Sequence, residues 1–424
     1  MEFETYAVNG GLNPKNNANA ISPPIYQTSA FEFENVQHAA DLFDLKTSGH
    51  IYTRISNPTT EILEKRLSLL EGGVGALALS SGQSASLISI LNITSSGEEV
   101  VASSSLYGGT FNLFDVTFKK FGIKVNFVNG SKIDDYEKAI NNKTKCIFIE
   151  SVTNPQLTVA DIEALANLAH SYNIPLIVDN TVPSPYLLRP FEFGADIVVH
   201  SITKYISGHS NSMGGAIIDS GNFDWEKSGK FPSLVNEDPS YHGLSYTKEF
   251  NNLAYIVKAR VQLLRDLGTT ISPFNAYLTL LGIETLHLRM QRHSDNALKI
   301  AKFLENHKSV SWVKYPLLEN DANYTLAKKY LKNGASSIVS FGIKGEQKNA
   351  IKFIESLNIP LHVTNIGDVR TIVTYPALTT HRQLSDEAKI ACGIGNDFIR
   401  LSVGLENVND LIFDLDQALI KSQA

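Results

Sequence analysis

Between residues 74 and 218 short apolar runs alternate with stretches of helical periodicity, and no other feature limits the possible folds as much. The runs are 74–79 (VGALAL), 99–102 (EVVA), 123–128 (IKVNFV), 145–149 (KCIFI), 175–178 (PLIV), 196–199 (DIVV) and 215–218 (GAII). Runs that are apolar throughout, rather than at every second position, belong to strands covered on both faces. Helices are expected between them near 83–93, 109–121, 134–140 and 161–171. Asp161 caps the last of these, and Ile162, Leu165 and Leu168 share one of its faces. Ahead of the first run, Asn57 caps a helix that opens on Pro58, carries Ile62, Leu63, Leu67 and Leu70 on one side, and stops at Gly72-Gly73. Such strand–helix–strand repetition predicts an α/β protein with a large, doubly wound, mainly parallel sheet.

The flanking segments read differently. Residues 1–56 hold no sustained period, and their aromatics (Tyr6, Tyr26, Phe31, Phe33, Tyr52) suit an arm draped over a neighbouring subunit. A large domain is expected over 57–260, broken by an aromatic, proline-bearing insertion at 221–250. A long helical region over 251–308 leads into a smaller C-terminal α+β domain, so that 261–424 form linker helix and second domain. Its strands are expected at 309–315, 337–343 and 397–403 and its helices at 346–357 and 406–421.

Composition closes off several classes of function. With 37 basic against 43 acidic residues there is no surplus to neutralise nucleic-acid phosphates. No run of about 18 apolar residues could span a membrane, and Met1-Glu2-Phe3-Glu4 lacks the basic start of a signal peptide. Cys146 and Cys392 are too few for a disulfide framework or a zinc site and fit a reducing cytoplasm. His200 and His209 show no metal-ligand spacing, so no metal is expected.

In an open parallel sheet ligands bind beyond the carboxyl ends of the strands, so the polar residues that follow each run are the informative ones. Ser80-Ser81-Gly82-Gln83 follows the first run, Glu150 the fourth, Asp179-Asn180-Thr181 the fifth and His200-Ser201-Ile202-Thr203-Lys204 the sixth. Each alone has an ordinary structural role: a Ser-Gly turn caps a helix, an Asp meets a backbone amide, a Lys sits in solvent. Together, at one sheet edge, they match the needs of pyridoxal phosphate. Its phosphate wants a helix N-terminus (Ser81, Gly82, Gln83) and hydroxyl donors (Ser201, Thr203). Its aldehyde wants an amine, Lys204. Its pyridine nitrogen wants a carboxylate to keep it protonated, Asp179. Its ring wants a face to stack on, Tyr107 in Leu106-Tyr107-Gly108-Gly109-Thr110.

The segments YTRISNPTTEILEKRLSLLEGG (52–73), SSGQSA (80–85), LYGGT (106–110), ESVTNP (150–155), VDNT (178–181), HSITKYISGH (200–209) and FIRLSVGLE (398–406) run in order along nearly the whole chain. As a set they resemble the cystathionine synthase and lyase family of pyridoxal phosphate enzymes of Cys/Met metabolism. The resemblance implies a fold type I PLP-dependent transferase, with Lys204 as Schiff-base lysine and general base and Asp179 as pyridinium partner. Ser81, Gly82, Gln83, Ser201 and Thr203 match phosphate ligands, and Tyr107 the stacked tyrosine that also assists proton transfer. Asn154 matches a residue near the cofactor's phenolic oxygen and the substrate carboxylate. Arg400 matches the arginine that clamps the substrate α-carboxylate bidentately, where Lys would not substitute well. Tyr52 and Arg54 match a pair reaching the phosphate of the neighbouring subunit, which implies shared active sites, a dimer at least and usually a tetramer.

Within the family, the insertion FPSLVNEDPSYHGLSY and the stretch Asn365-Ile366-Gly367-Asp368-Val369-Arg370 resemble the O-acetylhomoserine sulfhydrylase branch, with Asn365 on the substrate side of the site. Gly109 stands where methionine γ-lyases have cysteine. The implied reaction is γ-replacement of the acetate of O-acetyl-L-homoserine by sulfide or methanethiol, in methionine biosynthesis. Cystathionine synthesis or γ-lyase activity on the same site is the alternative. An insertion carrying Trp225, Phe231 and Tyr241 could either narrow the entrance for a small nucleophile or simply pack. A nicotinamide dehydrogenase, which the sheet pattern alone permits, lacks its glycine turn: Gly72-Gly73-Val74-Gly75 follows a helix, and Gly393-Ile394-Gly395 lacks the third glycine.

Overall fold

The computed structural model describes residues 1–130, 132–345, 347–379, 382 and 394–424; Cys392 and Gly393 lie outside the described residues. All seven runs form strands: β1 Gly75–Leu79, β2 Glu99–Ser103, β3 Lys124–Val128, β4 Thr144–Glu150, β5 Leu176–Asp179, β6 Ile197–His200 and β7 Gly215–Asp219. They make one sheet in the order β1-β7-β6-β5-β4-β2-β3. Pairing is parallel from β6 through to β3, and β7 runs antiparallel to both of its neighbours.

The unbroken apolar runs are explained by what lies on each face. Alternate residues divide between two cores: Ala76, Ala78, Ile147, Ile149, Leu176 and Val178 pack with Leu63, Leu67 and Ile162, whereas Leu77, Leu79, Phe148, Ile177 and Val199 pack with Ile88 and Tyr255. The helix Pro58–Glu71 covers the first face and the helix Gly82–Leu91 the second. Asn57 and Asp161 cap as expected, through Thr59 N and Ala164 N. Cys146 is buried on the second face, where burial pushes its thiol up and leaves it inert.

A second sheet has the order β10-β11-β12-β9-β8. Its strands β8 Val310–Lys314, β9 Ile338–Ile343 and β12 Phe398–Ser402 were expected. Strands β10 Leu361–His362 and β11 Ile372–Thr374 were not, being too short to show a period. The helical region expected over 251–308 is not continuous. Gly268, at φ +67, ends one helix, Ser272 and Pro273 start Pro273–Glu284, and Leu286–Glu305 follows beyond Thr285. A left-handed glycine followed by a Ser-Pro start is stop-and-start chemistry.

The insertion packs rather than narrowing its own chain's entrance. Trp225 stacks on Tyr255 (5.4 Å between centroids, 8° between planes) and meets the edge of Phe231 at 4.9 Å, and both are buried in the second core. Tyr241 donates its hydroxyl to Val261 O at 2.9 Å. The apolar gain of joining the sheet core outweighs leaving two large rings at a wet mouth. Trp225→Ala should therefore cost about 3–5 kcal/mol of stability in urea unfolding; a loss under about 1 kcal/mol would place the ring outside the core.

Candidate active site

The carboxyl ends of β1, β4, β5 and β6 border a cavity of about 300 Å3. Every predicted site residue lines it except Tyr52 and Arg54. That pair borders a separate cavity of about 400 Å3 beside Thr270 and Ser272. There Arg54 lies 5.5 Å over the Tyr52 ring and donates to Arg265 O. Within one chain they do not reach the Lys204 site.

One wall is the first turn of the helix Gly82–Leu91. Ser81 Oγ caps it by accepting from Ser84 N at 3.1 Å, and the turn presents Gly82 and Gln83 to the cavity. A Cβ on Gly82 would lie 2.6 Å from the Ser201 Cβ, so only glycine lets this helix end meet the Ser201 and Thr203 hydroxyls. Thr203 Oγ1 also ties to Gly214, accepting from its N at 3.0 Å and donating to its O at 3.1 Å.

The floor is a pair of acids. Parallel register sets Glu150 beside Asp179 at the ends of β4 and β5. Glu150 accepts from the amides of Tyr107 and, at 3.3 Å, of Asn154, one on each carboxylate oxygen. It thereby holds the two loops that carry those side chains. Burial, followed by the neighbouring Asp179 charge, pushes its carboxyl well up. Asp179 accepts from Thr181 N at 3.0 Å, Thr181 Oγ1 accepts from Ser201 N at 2.8 Å, and burial raises Asp179 also. Glu150 and Thr181 line the cavity at positions to which the strand-end rule pointed without giving them a task.

The roof comes from the second sheet. Arg400 on β12 is buried, with Nη1 on Asn154 Oδ1 at 3.1 Å, Nη2 on Asn365 O at 3.0 Å and on Thr374 Oγ1 at 3.1 Å. Its Nε is buried with no partner among the described residues. Burial lowers its guanidinium to about 10. Lys204 Nζ donates to Asn365 Oδ1 at 2.6 Å, and burial, then the Arg400 charge, lower the amine to about 8. The loop after Lys204 is held by Arg289, whose guanidinium donates to Tyr205 O at 2.6 Å and to Ile206 O at 3.3 Å. Tyr107 stands half-exposed at the rim, and a Cβ on Gly109 would lie 2.6 Å from its ring and 2.9 Å from Gln83 Nε2.

A model of the Cys/Met metabolism PLP-dependent enzyme family matches residues 4–420. The chain belongs to that family. It is 51% identical to an O-acetyl-L-homoserine sulfhydrylase of Leptospira meyeri, over 98% of this chain and 96% of the relative. It is 45% identical to a homocysteine synthase of Schizosaccharomyces pombe, over 98% of each. A crystal structure from Campylobacter jejuni, provisionally assigned as an O-acetylhomoserine (thiol)-lyase, superposes with a TM-score of 0.96 at 41% identity, over 99% of this chain and 100% of that one. That structure carries N'-pyridoxyl-lysine-5'-monophosphate.

Pyridoxal phosphate is the family's cofactor, and the residues present fit it. The helix start at Gly82 and Gln83 opens on the cavity beside the Ser201 and Thr203 hydroxyls, a setting suited to a phosphate. Asp179 and Glu150 lie side by side and neither forms an ion pair among the described residues, so a protonated ring nitrogen suits them as counter-charge. A buried amine lowered to about 8 is partly neutral, and so nucleophilic, near physiological pH. Because the folded amine sits below its ordinary 10.5, capture of pyridoxal phosphate by cofactor-free protein should quicken with rising pH and level off above about 8. A rise continuing toward 10.5 would mean that Lys204 is solvated rather than buried.

Proposed function

We propose that the protein is an O-acetyl-L-homoserine sulfhydrylase, replacing acetate by sulfide or a small thiol such as methanethiol; with sulfide the product is L-homocysteine, in methionine biosynthesis. One observation carries the site assignment: Asn365 binds the Lys204 amine on its side-chain oxygen and the Arg400 guanidinium on its backbone oxygen. Amine and carboxylate clamp are thus held on one residue. Bound at this site, pyridoxal phosphate supplies the electron sink that makes a substrate α-proton removable.

The chain's own residues do the rest. Arg400 takes the substrate α-carboxylate, and Asn154 accepts from its guanidinium and steadies the plane. Lys204 is covalent anchor and general base: its amine, lowered by burial, takes the α-proton and returns a proton on product release. Asp179 holds the ring nitrogen, Tyr107 stacks on the ring and assists proton transfer, and Gly82, Gln83, Ser201 and Thr203 hold the phosphate, with Ser81 as cap. Tyr52 and Arg54 reach the phosphate of a neighbouring subunit. The protein therefore works as a homodimer with shared sites, assembled as a tetramer, in the cytoplasm and on small molecules rather than nucleic acid or membrane. Among the described residues no helix is long and apolar enough to cross a membrane.

With O-acetylhomoserine as donor, sulfide should be used more efficiently than cysteine, as read by kcat/KM. Preference for cysteine would make the enzyme a cystathionine synthase, and turnover without acceptor a γ-lyase. Lys204→Ala should abolish turnover and covalent cofactor attachment and keep the fold. Mixed oligomers with Lys204→Ala and Arg54→Ala on separate chains should regain activity, and silence in them would refute shared sites.

A further inference from the structure

Asn365 faces Lys204 with a side-chain amide whose two ends are chemically opposite, an acceptor oxygen and a donor nitrogen. What decides which end meets the amine lies one step farther out. Asn365 Nδ2 donates to Ser210 Oγ at 2.9 Å, and Ser210 Oγ donates to Asp368 Oδ2. Asp368 is only 2% exposed, and its other oxygen accepts from Arg370 N and Nε, each at 2.8 Å. An ionised carboxylate can only accept, so the Ser210 proton is committed to it. The serine oxygen then has only lone pairs left for Asn365, which must offer its NH2 group. The amide oxygen is thereby turned toward Lys204, 2.6 Å from Nζ.

We propose that Asp368 and Ser210 are positioning residues that fix the orientation of the Asn365 amide, so that the Lys204 amine meets a hydrogen-bond acceptor whenever it is released from the cofactor. This rests on Lys204 being the reactive amine. The arrangement gives that amine a fixed resting place through steps in which it carries a proton. It also assigns a task to the Asn365–Arg370 stretch that the sequence singled out: Asn365 is the pawl, Asp368 sets it, and Arg370 pins Asp368. Ser210 joins the set from the far side of the Lys204 loop, at φ +53.

Other charges bear on Lys204 and stay constant in the test. Arg400, Asp179, Glu150 and the Tyr107 hydroxyl share its cavity. Asp368 is faced by Arg370 and, across the interface with the helix Leu286–Glu305, by His293.

The test uses cofactor-free protein and pyridoxal phosphate itself, following covalent capture by its yellow absorbance across pH. In Asp368→Asn the new amide can donate to Ser210, which frees the serine proton for Asn365. The Asn365 nitrogen then turns toward Lys204, the protonated amine loses its acceptor, and the midpoint of the capture profile moves down by about half a unit to one unit, the worth of one hydrogen bond. Ser210→Ala should move it the same way by less, and the double variant should go no farther than Asp368→Asn alone. Midpoints equal to wild type in both single variants, whatever their melting temperatures, would overturn the proposal. Should Asp368→Asn fold poorly, Ser210→Ala decides by itself. Wild-type protein that captures no cofactor would instead sink the assignment of Lys204, a distinguishable failure.

Discussion

Two carboxylates at neighbouring strand ends, Glu150 and Asp179, are the constraint around which the site is arranged. Parallel pairing places them in register, and burial makes both expensive to ionise. Each oxygen that finds a donor therefore fixes a piece of the surroundings: Tyr107 and the Asn154 loop through Glu150, Thr181 and through it the Ser201 turn through Asp179. In the proposed function a cationic ring completes the set. The acids thus act as a template for the loops, apart from the cofactor role proposed for Asp179.

The Lys204 loop is fixed from the other side. Tyr205 reaches the second sheet, its hydroxyl 2.6 Å from Ser337 Oγ, which lies 3.0 Å from Ser402 Oγ; that oxygen accepts from Gly367 N at 3.0 Å. The residue following Lys204 is therefore anchored to the strand that carries Arg400 and to the turn that carries Asn365. Amine, amide and guanidinium are thereby tied into one hydrogen-bonded set that spans the two sheets.

Much of this was legible in the sequence because it depends on local rules. Continuous apolar runs gave seven strands, and the polar residue after each run pointed at the cavity. Caps at Asn57 and Asp161 fell where side-chain oxygens can satisfy a first turn. What could not be read depends on the third dimension. Strands β10 and β11 are too short for a period, and the break at Gly268 hides inside an otherwise helical pattern. Glu150 and Thr181 were visible as strand-end residues, but their tasks exist only once strands β4, β5 and β6 are paired. Ser210 and Asp368 are 158 residues apart and meet only across the two sheets. Trp225 was read with two destinations, and the choice between them is a matter of which surface offers dry cover.

That choice has a bearing on what the rest of the chain requires of residues 221–250. Trp225 and Phe231 share a core with Phe148, Ile197 and Ile217, so the segment is upholstery for the back of the central sheet and not a door fitted to the front. Trimming it would strip cover from strands that hold the acids and the lysine in place, and no single deletion repairs that. A chain without this stretch would need other cover for the same sheet face, while the width of its doorway is set by unrelated residues.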